Sequence, residues 1–320
     1  MRFQRLLGAF VLITAIGILY EKYKNKIGIE FQDENFNLIQ KHLLYGEGSD
    51  KPILWIHTEH NKNSRHWASF YSRTNNNLNQ PYINMCVETI IKWCGDSFNI
   101  CLINDETYEK LLPSWSINLD KLPEPIRSRT RTLGSMKLLC KYGGVIMPNS
   151  MLMLHDFMPI HKEYLGRKGC YCGEFISRNS TSTLKRLFPS HRLMGCEKEN
   201  ETIKKMCNDL EILLSTDNSG GADFEGHIDK ILYKNVNSGM MSLISGNLIG
   251  MKTNEGSVIL LDDLLKETNI DFDRQMFGVY LPKDELLKRR NYEWFVRSNK
   301  VQIVAGNSNI SKLFTMSYSN

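Results

Sequence analysis

Several signatures that would have settled the chemistry of this chain at once are missing from it. Its eight cysteines (Cys86, Cys94, Cys101, Cys140, Cys170, Cys172, Cys196 and Cys207) contain no Cys-x-x-Cys pair, so zinc-ligand spacing is absent. No Gly-x-Gly-x-x-Gly turn follows the first strand pattern, which argues against a dinucleotide cofactor. The formal net charge of +5 is spread along 320 residues, giving no nucleic-acid signature and only a weak preference for phosphate-bearing or membrane-surface partners. Tandem repeats are absent, and the one biased tract is the Asn-rich piece 75–80, read as a loop. His57, His60 and His66 are close in sequence, but spacings of three and six fit no regular ligand face.

What is present is enough apolar material for a full core. Hydrophobic residues make up 42% of the chain and aromatic residues 10%, which excludes disorder for most of it. Residues 6–20 are uncharged and apolar, preceded by Arg2 and Arg5 and followed by Glu21, Lys22, Lys24 and Lys26. A membrane-crossing helix needs about 20 residues, so this run is short unless Phe3 and snorkelling flanks extend it. We read 1–26 as an N-terminal membrane anchor, with a secretory signal segment as the alternative and Ala15-Ile16-Gly17 as a poor cleavage site. A buried helix is disfavoured because the run has no polar face, and cations at both ends leave its orientation open. Residues 27–50 then form a stalk, and 51–320 a globular domain at a membrane.

Within that domain, Ile53 to His57 is a short β-forming run bounded by Pro52 and a polar loop. Pro81 opens a helix carrying Ile83, Cys86, Ile90 and Trp93, which Gly95 stops. A second strand pattern, 98–103, runs into Asn104-Asp105, so strand, helix and strand make a βαβ unit with a parallel pair. A short helix over 106–112 ends before Pro113. The next helix carries Leu133, Met136, Leu139 and Cys140, closes at Tyr142 with Gly143 as a left-handed stop, and leads into Val145-Ile146-Met147. Pro148-Asn149-Ser150 then breaks the strand, at the place where open α/β sheets hold their ligands.

The string Leu138-Leu-Cys-Lys-Tyr-Gly-Gly-Val-Ile146, with Trp55-Ile56-His57 and Ile103-Asn104-Asp105 before it, resembles glycosyltransferases of the GT-A fold. The resemblance is to capsular-polysaccharide synthesis proteins and sugar-binding-region mannosyltransferases, especially divergent members from large DNA viruses, and it covers 51–159 best. It implies a Rossmann-like GT-A-type mixed α/β sheet flanked by helices, a nucleotide-sugar donor, a glycan or protein acceptor, and residence in host secretory membranes or a virion. In that family the strand after Tyr-Gly-Gly ends in Asp-x-Asp, and the preceding helix carries an Asp and an Arg. Two carboxylates so spaced hold a divalent ion against the leaving diphosphate. This chain has Pro148 and Ser150 around Asn149, and Thr132 and Ser135 on the helix, so the motif does not support Mn²⁺ or Mg²⁺ as cofactor.

Two readings follow: a transferase with a remodelled donor site, or an inert GT-A scaffold with a structural or binding role. For the first, the donor contacts are Asp105, Arg127, Arg131, Asn149 and Ser150. Arg127 and Arg131 lie four apart on one helix face, as do Lys137 and Lys141, and form either a solvated positive face or a metal-free clamp on a diphosphate. Asp105 either contacts ribose, base or a replacement metal, or caps the helix that follows.

Beyond residue 159 the pattern loosens. It predicts a strand over 168–175, the start of a helix over 180–187, an amphipathic helix over 196–214, a helix from 222 with acidic first turns, and a hairpin around Ser245-Gly246-Asn247. Asp223 on the acidic helix either complements the helix dipole or, as the resemblance implies for an acidic residue of this later half, is the candidate catalytic base. Tyr292, Trp294 and Phe295 form either a core cluster or a sugar-stacking one. Asn179, Asn200 and Asn309 head glycosylation triplets that matter only in a lumenal domain.

Overall fold

A computed structural model describes residues 51–58, 80–216 and 221–319, without the side chains of 221–224. The anchor and stalk expected over 1–50 lie outside the described residues, as do His60, His66 and the tract 75–79. No helix among the described residues is long and apolar enough to cross a membrane.

Strand β1 (Ile53–His57) is buried along all but its last residue. A run with no polar face can be satisfied only between neighbours, and β1 lies between two parallel strands. On one side β2 (Asn99–Ile103) pairs Ile53 with Asn99 through His57 with Ile103; on the other β3 (Gly144–Ile146) pairs Val145 with Leu54. Helix α1 (Pro81–Cys94), with proline in its first turn, links β1 to β2; α2 (Thr107–Leu111) and α3 (Ile126–Tyr142) link β2 to β3.

The chain then leaves this sheet. Pro148 to Ser150 turn it into β4 (Met151–Met153), which pairs antiparallel with β8 (Gly278–Tyr280) in a separate two-stranded sheet. After α4 (Met158–Lys168), β5 (Cys170–Ile176) and β6 (Leu187–Cys196) return to the main sheet, and β7 (Ser242–Ile244) closes its far edge. The order is β2-β1-β3-β6-β5-β7, with β6 antiparallel to β3 and β5, and β7 parallel to β5. This is a mixed six-stranded α/β sheet of Rossmann-like layout, flanked by helices.

Two apolar cores hold the layers. Leu54, Ile56, Val145 and Met147 pack with Phe157 and Phe277 in the first. In the second, Leu152 and Val279 of the small sheet pack with Tyr82, Phe295 and Phe314. Tyr292 and Phe295 belong to that second core, whereas Trp294 is 55% exposed, so the aromatic cluster is divided.

Two local expectations are corrected. Between the helix start expected over 180–187 and the amphipathic helix expected over 196–214 lies the ten-residue strand β6, which neither expectation includes; of the first only Ser180–Thr183 is helical, as a 3-10 turn, and the second, α5, begins later, as Glu201–Thr216. Pro189 hides the strand in sequence, yet it lies beyond the part of β6 that pairs with β3, on an open edge where a missing N–H costs nothing. The second correction is the hairpin over 242–250. Ser242–Ile244 instead pairs with β5, because its Ile244 is fully buried there, and the chain continues in turns closed by Leu248 N–H to Ser245 O and Met251 N–H to Gly246 O.

Candidate functional site

The Tyr142-Gly143-Gly144 turn delivers α3 into β3 by passing very close to β1. Gly143 and Gly144 have φ of +72° and +95°, and Trp55 of β1 donates its indole N–H to Gly143 O at 3.0 Å. This fixes where β3 ends. Met147 N–H still bonds Trp55 O, and then Pro148 O accepts from Met151 N–H at 3.1 Å in a tight turn. Asn149 and Ser150 are therefore buried as the hinge between the two sheets, 7% and 1% exposed.

The connection from β1 runs to β2 on one side, and the next returns to β3 on the other. The crevice between the carboxyl ends of β1 and β3 is thus the topological switch point, where such sheets bind ligands. His57 ends β1 at this point, and Pro148-Asn149-Ser150 follows β3.

His57 is tied to the end of β2. Its Nε2 meets Asp105 Oδ1 at 3.0 Å, and its ring stacks on Tyr108 at 6.1 Å and 10°. Asp105 also accepts two bonds from Arg131 of α3, Nε to Oδ1 at 2.6 Å and Nη2 to Oδ2 at 2.7 Å. That is the parallel two-bond fork of a strong guanidinium–carboxylate pair. Burial opposes charge on Asp105, but the bonds from His57 and Arg131 outweigh it and hold the carboxyl well below the usual carboxylate range. An ionised carboxylate can only accept, so His57 donates from Nε2.

The helix cap expected of Asp105 belongs to its neighbour. Asn104 Oδ1 accepts from Thr107 N–H at 3.1 Å, and Thr107 Oγ1 accepts from Asn104 N–H at 3.0 Å. Arg127 and Arg131 share a helix but bind different partners, since Arg127 donates to the carbonyls of Leu122 and Asp120 at 2.9 and 3.1 Å. Ser135 shares a 2.8 Å hydrogen bond with Tyr108 Oη, and Thr132 bonds back to Ser128 O at 3.2 Å. Both positions thus serve local structure. Lys137 pairs with Glu211, and Lys141 donates to Leu111 O at 3.1 Å.

A second polar group lies on the same edge of the sheet, because β5 runs parallel to β1 and β3. Helix α6 (Gly221–Asn237) packs on β6 and places Glu225 and Asp229 over its outer half. Asp223 is in the first turn of this helix, but its side chain lies outside the described residues. Asp229 is 3% exposed, accepts from Asn179 Nδ2 at 2.6 Å on Oδ2, and has no hydrogen-bond partner on Oδ1. Burial pushes its carboxyl up, against the lowering influence of His191, Asn179 and Arg192. His191 faces Glu225 Oε2 at 3.7 Å through Nε2, while its Nδ1 is buried without a partner. The signal for this group was in the sequence: Glu225 and Asp229 stand four apart on one face of the acidic helix.

Among the described residues, no three His, Cys, Asp or Glu side chains are grouped as metal ligands would be. All three acceptor asparagines have their Nδ2 engaged: Asn179 on Asp229, Asn200 on Gly169 O at 3.3 Å, and Asn309 on Asp263 O and Thr268 O at 2.9 and 2.6 Å. A glycan takes one N–H of the nitrogen it joins and would have to be seated against these partners, and at Asn309 both N–H groups are in use. Protein recovered folded from a secretory compartment is therefore expected to show no mass change on treatment with an N-glycan-removing amidase; a loss of one or more glycan masses would contradict this packing.

The residues above define a mixed-sheet α/β protein with polar groups gathered along one edge. No protein-family model matches the chain, and no curated protein matches it. Among solved structures, the PaToxG glycosyltransferase aligns at 11% identity and a TM-score of 0.34, over 92% of this chain and 96% of its own. A likeness that distant leaves any functional reading to the strand order and side chains of this chain itself.

Proposed function

We propose that the domain is glycosyltransferase-like and binds the diphosphate of a nucleotide-sugar at the β1/β3 switch point without a divalent ion, for transfer of the sugar to a glycan or protein acceptor. The observation that carries this reading is the strand order: a Rossmann-like switch point between the ends of β1 and β3, where His57 at the end of β1 is joined through Asp105 to Arg131. In the free protein two donors of Arg131 are held by Asp105. A diphosphate entering the crevice then competes with Asp105 for the guanidinium, and the role of Asp105 is to keep that guanidinium oriented.

Thermal-shift titration of UDP and GDP, with Mn²⁺ and with EDTA, tests the proposal. At tenfold the dissociation constant one nucleotide is expected to stabilise the fold by about 1.4 kcal/mol, roughly 2–4 °C, equally with and without metal. Asp105→Asn should tighten that binding several-fold by releasing Arg131, whereas a ribose contact by Asp105 would make it weaker. Absence of both stabilisation and donor hydrolysis across UDP- and GDP-sugars would end the transferase reading. Binding without turnover favours the inert scaffold, the reading to which the loss of the acidic pair points. Localisation at a membrane through residues 6–20 is part of the same proposal; deletion of 1–26 should release the protein from a membrane pellet.

A further inference from the structure

At the outer ends of β5 and β6, about 40 and 60 Å³ of space lies in two adjoining cavities that share Phe175, Ile176, Arg178 and Arg192 as walls. One of them is floored by Asp229 and rimmed by Asn179, Ser190 and Glu225. We infer that this cavity is a binding site for a neutral hydroxyl-bearing group, the edge of a sugar or other polyol, held between Asp229 and Arg192.

The chemistry of the unmet groups selects the ligand. Asp229 Oδ1 is a buried acceptor with no donor, and Ser180 Oγ and His191 Nδ1, both also buried and unpaired, flank the same helix. Of these only Asp229 lines the cavity, and a donor bound there would meet the acceptor that the fold leaves without one. An ammonium or guanidinium could donate to Asp229 but would meet Arg178 and Arg192 in the same wall. A phosphate or carboxylate would suit the arginines but repel Asp229 and Glu225. A hydroxyl both donates and accepts, so one such group satisfies the carboxylate and the guanidinium together without bringing a charge. The rings of Phe175 and Phe188, also in the wall, offer an apolar face to the carbon side of such a ring.

The walls are built to keep this space open. Asn179 Oδ1 is spent on Thr181, at 2.9 Å from N–H and 2.8 Å from Oγ1, which leaves its Nδ2 to orient Asp229. Arg192 is braced by Nη1 to Ser190 Oγ at 3.2 Å. Gly226 lets α6 approach: a Cβ there would stand 2.2 Å from Ser180 Oγ. The inference goes beyond nucleotide-sugar binding and stands without it, since the groups concerned lie on α6, β6, β5 and the segment that follows β5, and not at the β1/β3 switch point.

Saturation-transfer NMR on the full chain, with no nucleotide present, tests it with methyl β-D-glucopyranoside, methyl α-D-mannopyranoside, glycerol and methylammonium as probes. Saturable binding of at least one of the three polyols is expected, with methylammonium showing none. Asp229→Ala should weaken it by tenfold or more, and Glu225→Gln, at a more exposed position that folding tolerates, by a few-fold. The site is overturned if no polyol binds the folded protein, if both variants bind as the parent does, or if methylammonium binds as tightly as the polyols. Loss of nucleotide binding alone would leave these measurements unchanged, so the two proposals fail separately.

Discussion

Gly144→Ala is expected to lower stability by about 3–5 kcal/mol, enough to remove much of the total of a typical domain. The added Cβ would stand 2.1 Å from Ile53 O, with Ile53 C at 3.0 Å and Ile53 N at 3.1 Å. These are backbone atoms of the central strand and have no rotamer through which to yield. The φ of +95° adds strain for any residue with a side chain, of order 1–3 kcal/mol, and overpacking adds a similar amount. Urea unfolding followed by tryptophan fluorescence measures the loss. Gly166→Ala is the control: nothing lies within 4 Å of its Cβ, and inside α4 it should raise stability by up to about 1 kcal/mol. A Gly144→Ala protein as stable as the parent would mean that β3 does not approach β1 as described.

Arg131→Ala should have the next largest effect, about 2–4 kcal/mol, because it leaves a largely buried carboxylate with only His57 beside it. Asp105→Asn combined with Arg131→Met should recover at least half of that, since neither charge is then left unpaired; the double-mutant cycle isolates the pair. Acid titration gives an independent reading of the same contact. The Asp105 carboxyl is depressed in the folded state, against its burial, by His57 and Arg131. The unfolded chain takes up this proton near pH 4 and the folded one at lower pH, so the contribution is full above about pH 5 and is lost as the pH falls through 4 and below. Asp105→Asn should flatten that part of the stability–pH curve. Unchanged acid sensitivity in the variant would show that other carboxylates carry it.

The first half of the domain is legible in the sequence because its signals are local. Ile53 to His57 has no polar face, Pro81 can only begin a helix, and Gly143-Gly144 permits a backbone that other residues resist. The parallel pairing of β1 and β2 then follows from the handedness of the crossover. In the second half the decisive interactions are distant in sequence. Pro189 and Gly195 spoil the strand pattern of β6, yet Gly195 is needed because Tyr171 of β5 lies where its Cβ would be, 2.2 Å from Tyr171 Cζ. Ser242–Ile244 looks like half of a hairpin until the open edge of β5 is seen to claim it.

The candidate site divides in the same way. That Pro148-Asn149-Ser150 carries no acidic pair, that Asp105 follows the β2 pattern and that Arg131 lies on the helix before β3, is a matter of residue identity and order. Which guanidinium meets which carboxylate is not: Arg127 and Arg131 are equivalent by helical spacing, but only Arg131 reaches Asp105, while Arg127 closes its own loop. The amino-acid order thus determined the elements of the first half, the switch point and the lack of an Asp-x-Asp pair after β3, because each depends on neighbours along the chain. Tertiary packing decided the ion pairs and the buried, unmet acceptor of Asp229, because a charge takes its partner from whatever the fold brings within reach.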